Sequence, residues 1–97
     1  MFNVTDEQYF YIIYAELQQR LSSECKITLV RETITSIIPR LEGICIYYKG
    51  IKVLLSYKKT MKDLKHKGKD IPFDDIITEV IRNIKEGIAE QFLKELE

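Results

Sequence analysis

Apolar residues recur at helical spacing near both ends of the chain and alternate with polar ones between them. Phe10, Ile13, Tyr14, Leu17 and Leu21 fall three or four residues apart, which predicts an amphipathic helix to about Ser22. Thr5-Asp6-Glu7-Gln8 precedes it and fits a capping box, with Val4 placed to staple against Tyr9. Tyr9, Tyr11 and Ile12 widen the stripe in its first half. So much aromatic surface on one helix fits either a core with tyrosines at its wet edge or a partner-binding or dimer surface, for which Tyr11 is the anchor candidate.

Between the helices the period changes to two. Cys25, Ile27 and Leu29 alternate with Lys26 and Thr28, predicting a strand from about Cys25 to Arg31. Residues 29–38 also suit one face of a helix, through Leu29, Val30, Thr33, Ile34, Ile37 and Ile38, until Pro39 ends either element. The β-branched residues favour the extended reading. The stretch from Gly43 to Tyr57 then reads as a hairpin turning at Lys49-Gly50. That turn sets Tyr48 opposite Ile51, Ile46 opposite Val53 and Ile44 opposite Leu55, all on one apolar face. Tyr47 with Lys52, Cys45 with Leu54 and Gly43 with Ser56 make the other face. A slip by one residue would mix the two, so the register is well specified. The strands are expected at Arg40–Tyr48 and Ile51–Tyr57.

Residues 58–68 read as a short basic helix with a narrow seam of Tyr57, Met61 and Leu64, stopped at Gly68. A long last helix begins near Pro72, with Asp74 and Asp75 in its first turn and a stripe of Phe73, Ile77, Val80, Ile81, Ile84, Ile88 and Phe92. Gly87 interrupts this stripe and suits a close approach to the sheet or to a second chain. The predicted architecture is a single α+β domain over residues 1–97. It has a three-stranded antiparallel meander, an N-terminal and a C-terminal helix on one sheet face, and the short basic helix between.

Leu41-Glu42-Gly43-Ile44, the strand end Leu54-Leu55-Ser56-Tyr57, Lys67-Gly68-Lys69 and the helix carrying Ile76, Val80 and Ile81 resemble in outline a domain of unknown function found in Firmicutes, especially gut clostridia. That domain shows a similar L-x-G-L strand, a Y-L-x-x-Y-Y strand end, a Y-x-x-G helix stop and an E-E-I final helix. The likeness spans most of the chain, although lysines here replace the domain's acidic segment after the third strand. It implies a similar order of elements and carries no activity.

Charge adds the one functional signal. The net charge is zero, yet residues 49–69 hold eight lysines against one aspartate, while residues 70–97 hold three basic and eight acidic side chains. The lysines are Lys49, Lys52, Lys58, Lys59, Lys62, Lys65, Lys67 and Lys69, with Tyr47 and Tyr57 interleaved. Gathered in space they would attract an acidic protein surface or nucleic-acid phosphates. No arginine stands among them, which argues against a dedicated base reader. A merely solvated face is the bland alternative.

Catalytic and metal chemistry finds little footing. His66 is the only histidine and has no nucleophile near it in sequence. Two cysteines, Cys25 and Cys45, form no CxxC and read as inert thiols, close together only if the first two strands pair. Glu24-Cys25-Lys26 matches the E-x-K of metal-dependent nucleases, but the upstream acids Asp6, Glu7 and Glu16 lie on the predicted helix. Asp6 and Glu7 also stand where a signal peptide would be basic, and no apolar run is long enough to cross a membrane, so a cytoplasmic protein is expected. The sequence thus predicts a small protein-binding module, not an enzyme, without cofactor or metal. Its most concrete form is a phage or mobile-element inhibitor of a host defence system, of the anti-CRISPR kind, acting through the lysine-rich surface on an acidic protein or a protein–nucleic-acid complex. The alternatives are a nucleic-acid-binding accessory protein using the same lysines, and a homodimer burying the tyrosine-rich helix or the Gly87 face.

Overall fold

The computed structural model describes residues 5–32, 40–67 and 71–96. Its elements are α1 (Asp6–Leu21), β1 (Lys26–Glu32), β2 (Arg40–Tyr48), β3 (Ile51–Ser56), α2 (Tyr57–Lys67) and α3 (Phe73–Leu96). The strands form an antiparallel sheet in the order β1-β2-β3. This is the expected α+β meander, with helices from both ends of the chain packed against it.

The capping box forms: Thr5 Oγ1 accepts from the Gln8 N–H at 3.2 Å, and Gln8 Oε1 accepts from the Thr5 N–H at 2.9 Å. Two otherwise unpaired helix-start donors are thereby satisfied. The expected staple from Val4 lies outside the described residues, as do residues 33–39, so the strand reading is settled only through Glu32. β1 starts one residue later than expected, because the Cys25 N–H still closes the end of α1 on the Leu21 carbonyl at 2.8 Å.

The hairpin has the expected register throughout, from Gly43 opposite Ser56 to Tyr48 opposite Ile51. Lys49 and Gly50 have φ of 46° and 84°, the left-handed pair that a two-residue turn of type I′ requires. Pairing of β1 with β2 contains a bulge. Val30 stands opposite Gly43 and Arg31 opposite Leu41, leaving Glu42 without a partner. The extra residue puts Leu41 on the same side as Ile44 and Ile46, and all three enter the core.

That core lies on one side of the sheet. Phe10, Ile13 and Leu17 of α1, Met61 of α2 and Ile77, Val80 and Ile84 of α3 meet Ile27, Ile44 and Ile46. β3 ends one residue earlier than expected because Tyr57 opens α2, its ring set edge-to-face on Phe10 with centroids 5.1 Å apart. Gly87 faces the sheet within the chain: a Cβ there would stand 3.4 Å from Val53 Cγ1, an ordinary contact, so α3 packs on β3 at a spacing that does not itself demand glycine. The tyrosines of α1 also find partners at home. Tyr9 meets the Phe73 ring edge-on, Tyr14 takes a hydrogen bond from Gln18 Nε2 at 2.7 Å, and Tyr11 accepts one from Arg31, whose guanidinium lies 5.4 Å from its ring centroid.

Candidate functional site

Packing all three described helices on one side leaves the other side of the sheet uncovered by any described element. Strand alternation and register fix what this open face presents. Across β1, β2 and β3 its rows are Lys26–Tyr47–Lys52, then Thr28–Cys45–Leu54, then Val30–Gly43–Ser56. None of these residues is acidic. Tyr47, on the central strand, is 39% exposed, and Leu54, on edge strand β3, is 55% exposed. Between them Cys45, at the centre of the face, is buried.

Lysines stand at both ends of this face. Lys26, Lys49 and Lys52 are exposed at the hairpin end, with Lys52 Nζ 6.0 Å from the Tyr47 ring centroid and Lys49 Nζ 5.4 Å from that of Tyr48. At these distances each ammonium feels the negative ring face. At the far end Ser56 caps α2, its Oγ accepting from the Lys59 N–H at 3.3 Å. Lys58, Lys59 and Lys62 follow, all exposed, and no ion pair involving them is found among the described residues. The first turn of α2 has no acidic residue, so Lys58 and Lys59 oppose the helix dipole. Lys59 also lines, with Leu54 and Ser56, one wall of a groove of about 390 Å³ between β3, α2 and α3.

The lysine run is therefore not one patch. β3 is extended, and its six residues at roughly 3.3 Å each put about 20 Å between the turn that carries Lys49 and the start of α2. Lys65 is already engaged: its Nζ lies 2.8 Å from Asp6 Oδ2, and that hydrogen bond raises its pKa. The side chain of Lys67 and all of Lys69 lie outside the described residues. Of the aromatic candidates only Tyr47 joins the open face. Tyr57 is half-buried on Phe10, where desolvation first and then Asp6 and Glu7 raise its pKa, and Tyr11 is paired with Arg31 on the helix side. Tyr47 also has a raised pKa, chiefly from a hydrogen bond with the Cys45 side chain, and stays a neutral phenol near pH 7.

Two residues of this face went unmarked in the sequence reading. Lys26 completes the Lys–Tyr–Lys row but is remote from the lysine run, and only the pairing of β1 with β2 brings it there. Leu54 was visible as an apolar residue on the minor hairpin face, the signal that could have marked it. The cysteines, by contrast, stay apart: Cys45 belongs to the open face, while Cys25 lines a hollow with Leu21, Tyr48 and Ile84 on the helix side. Burial and Glu24 raise the Cys25 thiol pKa against the opposing pull of Lys85, keeping it protonated.

Among the described residues no group of three or more His, Cys, Asp or Glu side chains could hold a metal ion, and no helix is long and apolar enough to cross a membrane. What the face offers is two exposed large side chains, Tyr47 and Leu54, with lysines at both ends. No family model, curated protein or solved structure matches the chain.

Proposed function

We propose that the protein is a binding module whose open sheet face docks on an acidic, apolar-centred surface of another protein. The observation that carries this reading is the exposure of Tyr47, near the hairpin end of the central strand, and of Leu54 on edge strand β3, on a face that no described element covers and that has lysines at both ends. An apolar centre with a polar rim is the anatomy of a protein interface, and opposite charge on the partner speeds and orients the encounter. Such a module acts by occupying its partner's surface, which is the mode of a phage or mobile-element inhibitor of a host defence protein.

A second reading has one observation in its favour. The Lys26–Tyr47–Lys52 row sets an aromatic ring between two cations, the minimal arrangement for stacking a single-stranded base and meeting its phosphates. A stacking platform gains from further rings, and Leu54 stands where the next would be.

Capture from nuclease-treated host lysate tests the first reading, using the wild type beside Lys26→Glu/Lys52→Glu. The wild type is expected to retain a partner that the double variant loses. Equal capture by both sinks the proposal. Anisotropy titrations of single-stranded DNA and RNA over a salt series test the second: tight binding with a steep salt slope replaces protein docking by nucleic-acid binding.

A further inference from the structure

β3 is an edge strand: β2 pairs with one side of it, and no described strand pairs with the other. In a two-residue hairpin the residues flanking the turn exchange backbone hydrogen bonds, and the direction of these groups alternates along the strand. Ile51, Val53 and Leu55 therefore turn their N–H and C=O groups to β2, while Lys52 and Leu54 turn theirs to the free edge. The devices that usually blunt such an edge are sparse. β3 has no proline, its register with β2 runs without a bulge, and Lys52 is its only charge. Its side chains are open on both faces. Leu54 is exposed on the open face, and Val53 and Leu55, towards the helices, are only half-buried, whereas Ile44 and Ile46 beside them on β2 are fully buried.

The groove of about 390 Å³ follows this edge. Leu54 lines it together with Val53 and Leu55, whose side chains point to the opposite face, so it wraps the rim of the strand. Ile76, Val80 and Asn83 form its α3 wall, on the flank away from α1, which meets α3 near Asp74, Lys85 and Ile88. An extended segment laid along the free edge would take up the Lys52 and Leu54 backbone groups. It would turn alternate side chains into the groove and set the others beside Lys52, Leu54 and Ser56. Charge chooses among such segments. Lys52 stands at one end of the edge and Lys59 at the other, both exposed. β3 carries no carboxylate; the groove's acids are Asp63, one turn beyond Lys59, and Glu79, which Arg82 meets at 3.7 Å. We propose that β3 receives an extended strand of a partner protein, three apolar residues opposite Val53, Leu54 and Leu55 with an acidic residue at either end. The inference rests on the reading of the protein as a binding module and names how the partner's chain engages it. A second copy fits this edge poorly. Pairing β3 with β3 would set the strands about 4.8 Å apart, each beneath its own α3, whereas packed helices need about 8–10 Å.

Random nine-residue peptides displayed on phage, selected against the full chain, are the probe. Enriched peptides are expected to carry the acidic–apolar–acidic pattern, and a synthetic copy of one is then titrated into the protein. Amide hydrogen exchange at Lys52 and Leu54 should slow at least about tenfold, with Val53 and Leu55, already bonded to β2, changing less. N-methylating the peptide one residue at a time should abolish binding at alternate positions, because only every second N–H faces β3. Lys52→Glu/Lys59→Glu is expected to weaken binding at least about tenfold, while Lys26→Glu, on the opposite edge strand, leaves it unchanged. Failure to enrich any peptide overturns the proposal. So does a bound peptide that leaves exchange at Lys52 and Leu54 unaltered, or one that tolerates N-methylation at every position. A dimer in light scattering with both amides already protected gives the edge to a second copy and overturns it too. Peptide failure while Lys26→Glu/Lys52→Glu still loses its captured partner removes the added strand and leaves the open-face docking standing; capture unaffected by that variant, with the peptide bound as expected, sinks the open-face docking instead.

Discussion

Gly43 has no room for a side chain. A Cβ built there would stand 2.4 Å from the Leu55 carbonyl oxygen, which is backbone and cannot swing away. Gly43→Ala is therefore expected to force the hairpin strands apart and lower stability by about 1–3 kcal/mol, read by urea unfolding; an unchanged midpoint would refute the close approach. Lys49 poses the opposite case. It holds a φ of 46°, a conformation in which its Cβ is crowded, and Asn tolerates that conformation better. Lys49→Asn should raise stability by about 0.5–1 kcal/mol in the same assay, a gain that would be absent if the turn were of another type. Three tyrosines, Tyr9, Tyr47 and Tyr57, have pKa values raised from 10.0. A raised folded-state value means stability is full below the unfolded value and falls as pH climbs through the folded one. Alkaline titration by ultraviolet absorbance should show phenols ionising above pH 10.0, with the urea midpoint falling over the same range.

At the scale of elements, the hairpin was legible in the sequence because its information is local. A two-residue turn and strict alternation fix the pairing without reference to the rest of the chain. The bulge was written less openly: Leu41 and Ile44 are three apart, and only an extra residue brings both into the core. The site was harder still. Eight lysines adjacent in sequence suggested one patch, but an extended strand separates residues faster than a helix does, so β3 splits them into two groups. Lys26 could not be assigned to the face because its partner Tyr47 is set by long-range pairing. α2 carries a local conflict with a use. Lys58 and Lys59 sit where the helix dipole disfavours cations, at about 0.3–1 kcal/mol each. Lys58→Glu/Lys59→Glu is thus expected to raise thermal stability while weakening partner capture. Loss of stability with capture unchanged would mean that these lysines serve the fold alone.

For the whole molecule the decisive asymmetry lies between the two sides of the sheet. One side gathers nearly all of the large apolar residues under the helices, and the other keeps Leu54 and Tyr47 in view between lysines. Zero net charge conceals this arrangement, since the positive charge belongs to the open face and α2 while the acidic residues are concentrated on α3. The central claim is that the open face, and not the helix layer, meets the partner. Amide chemical-shift mapping of the isotope-labelled protein on addition of a captured partner tests it most directly. The account predicts shifts clustered at Lys26, Thr28, Tyr47, Lys52, Leu54 and the first turn of α2, with the outward sides of α1 and α3 unmoved up to Ile88. Shifts confined to the outward sides of α1 and α3, with Tyr47 and Leu54 unchanged, would contradict it.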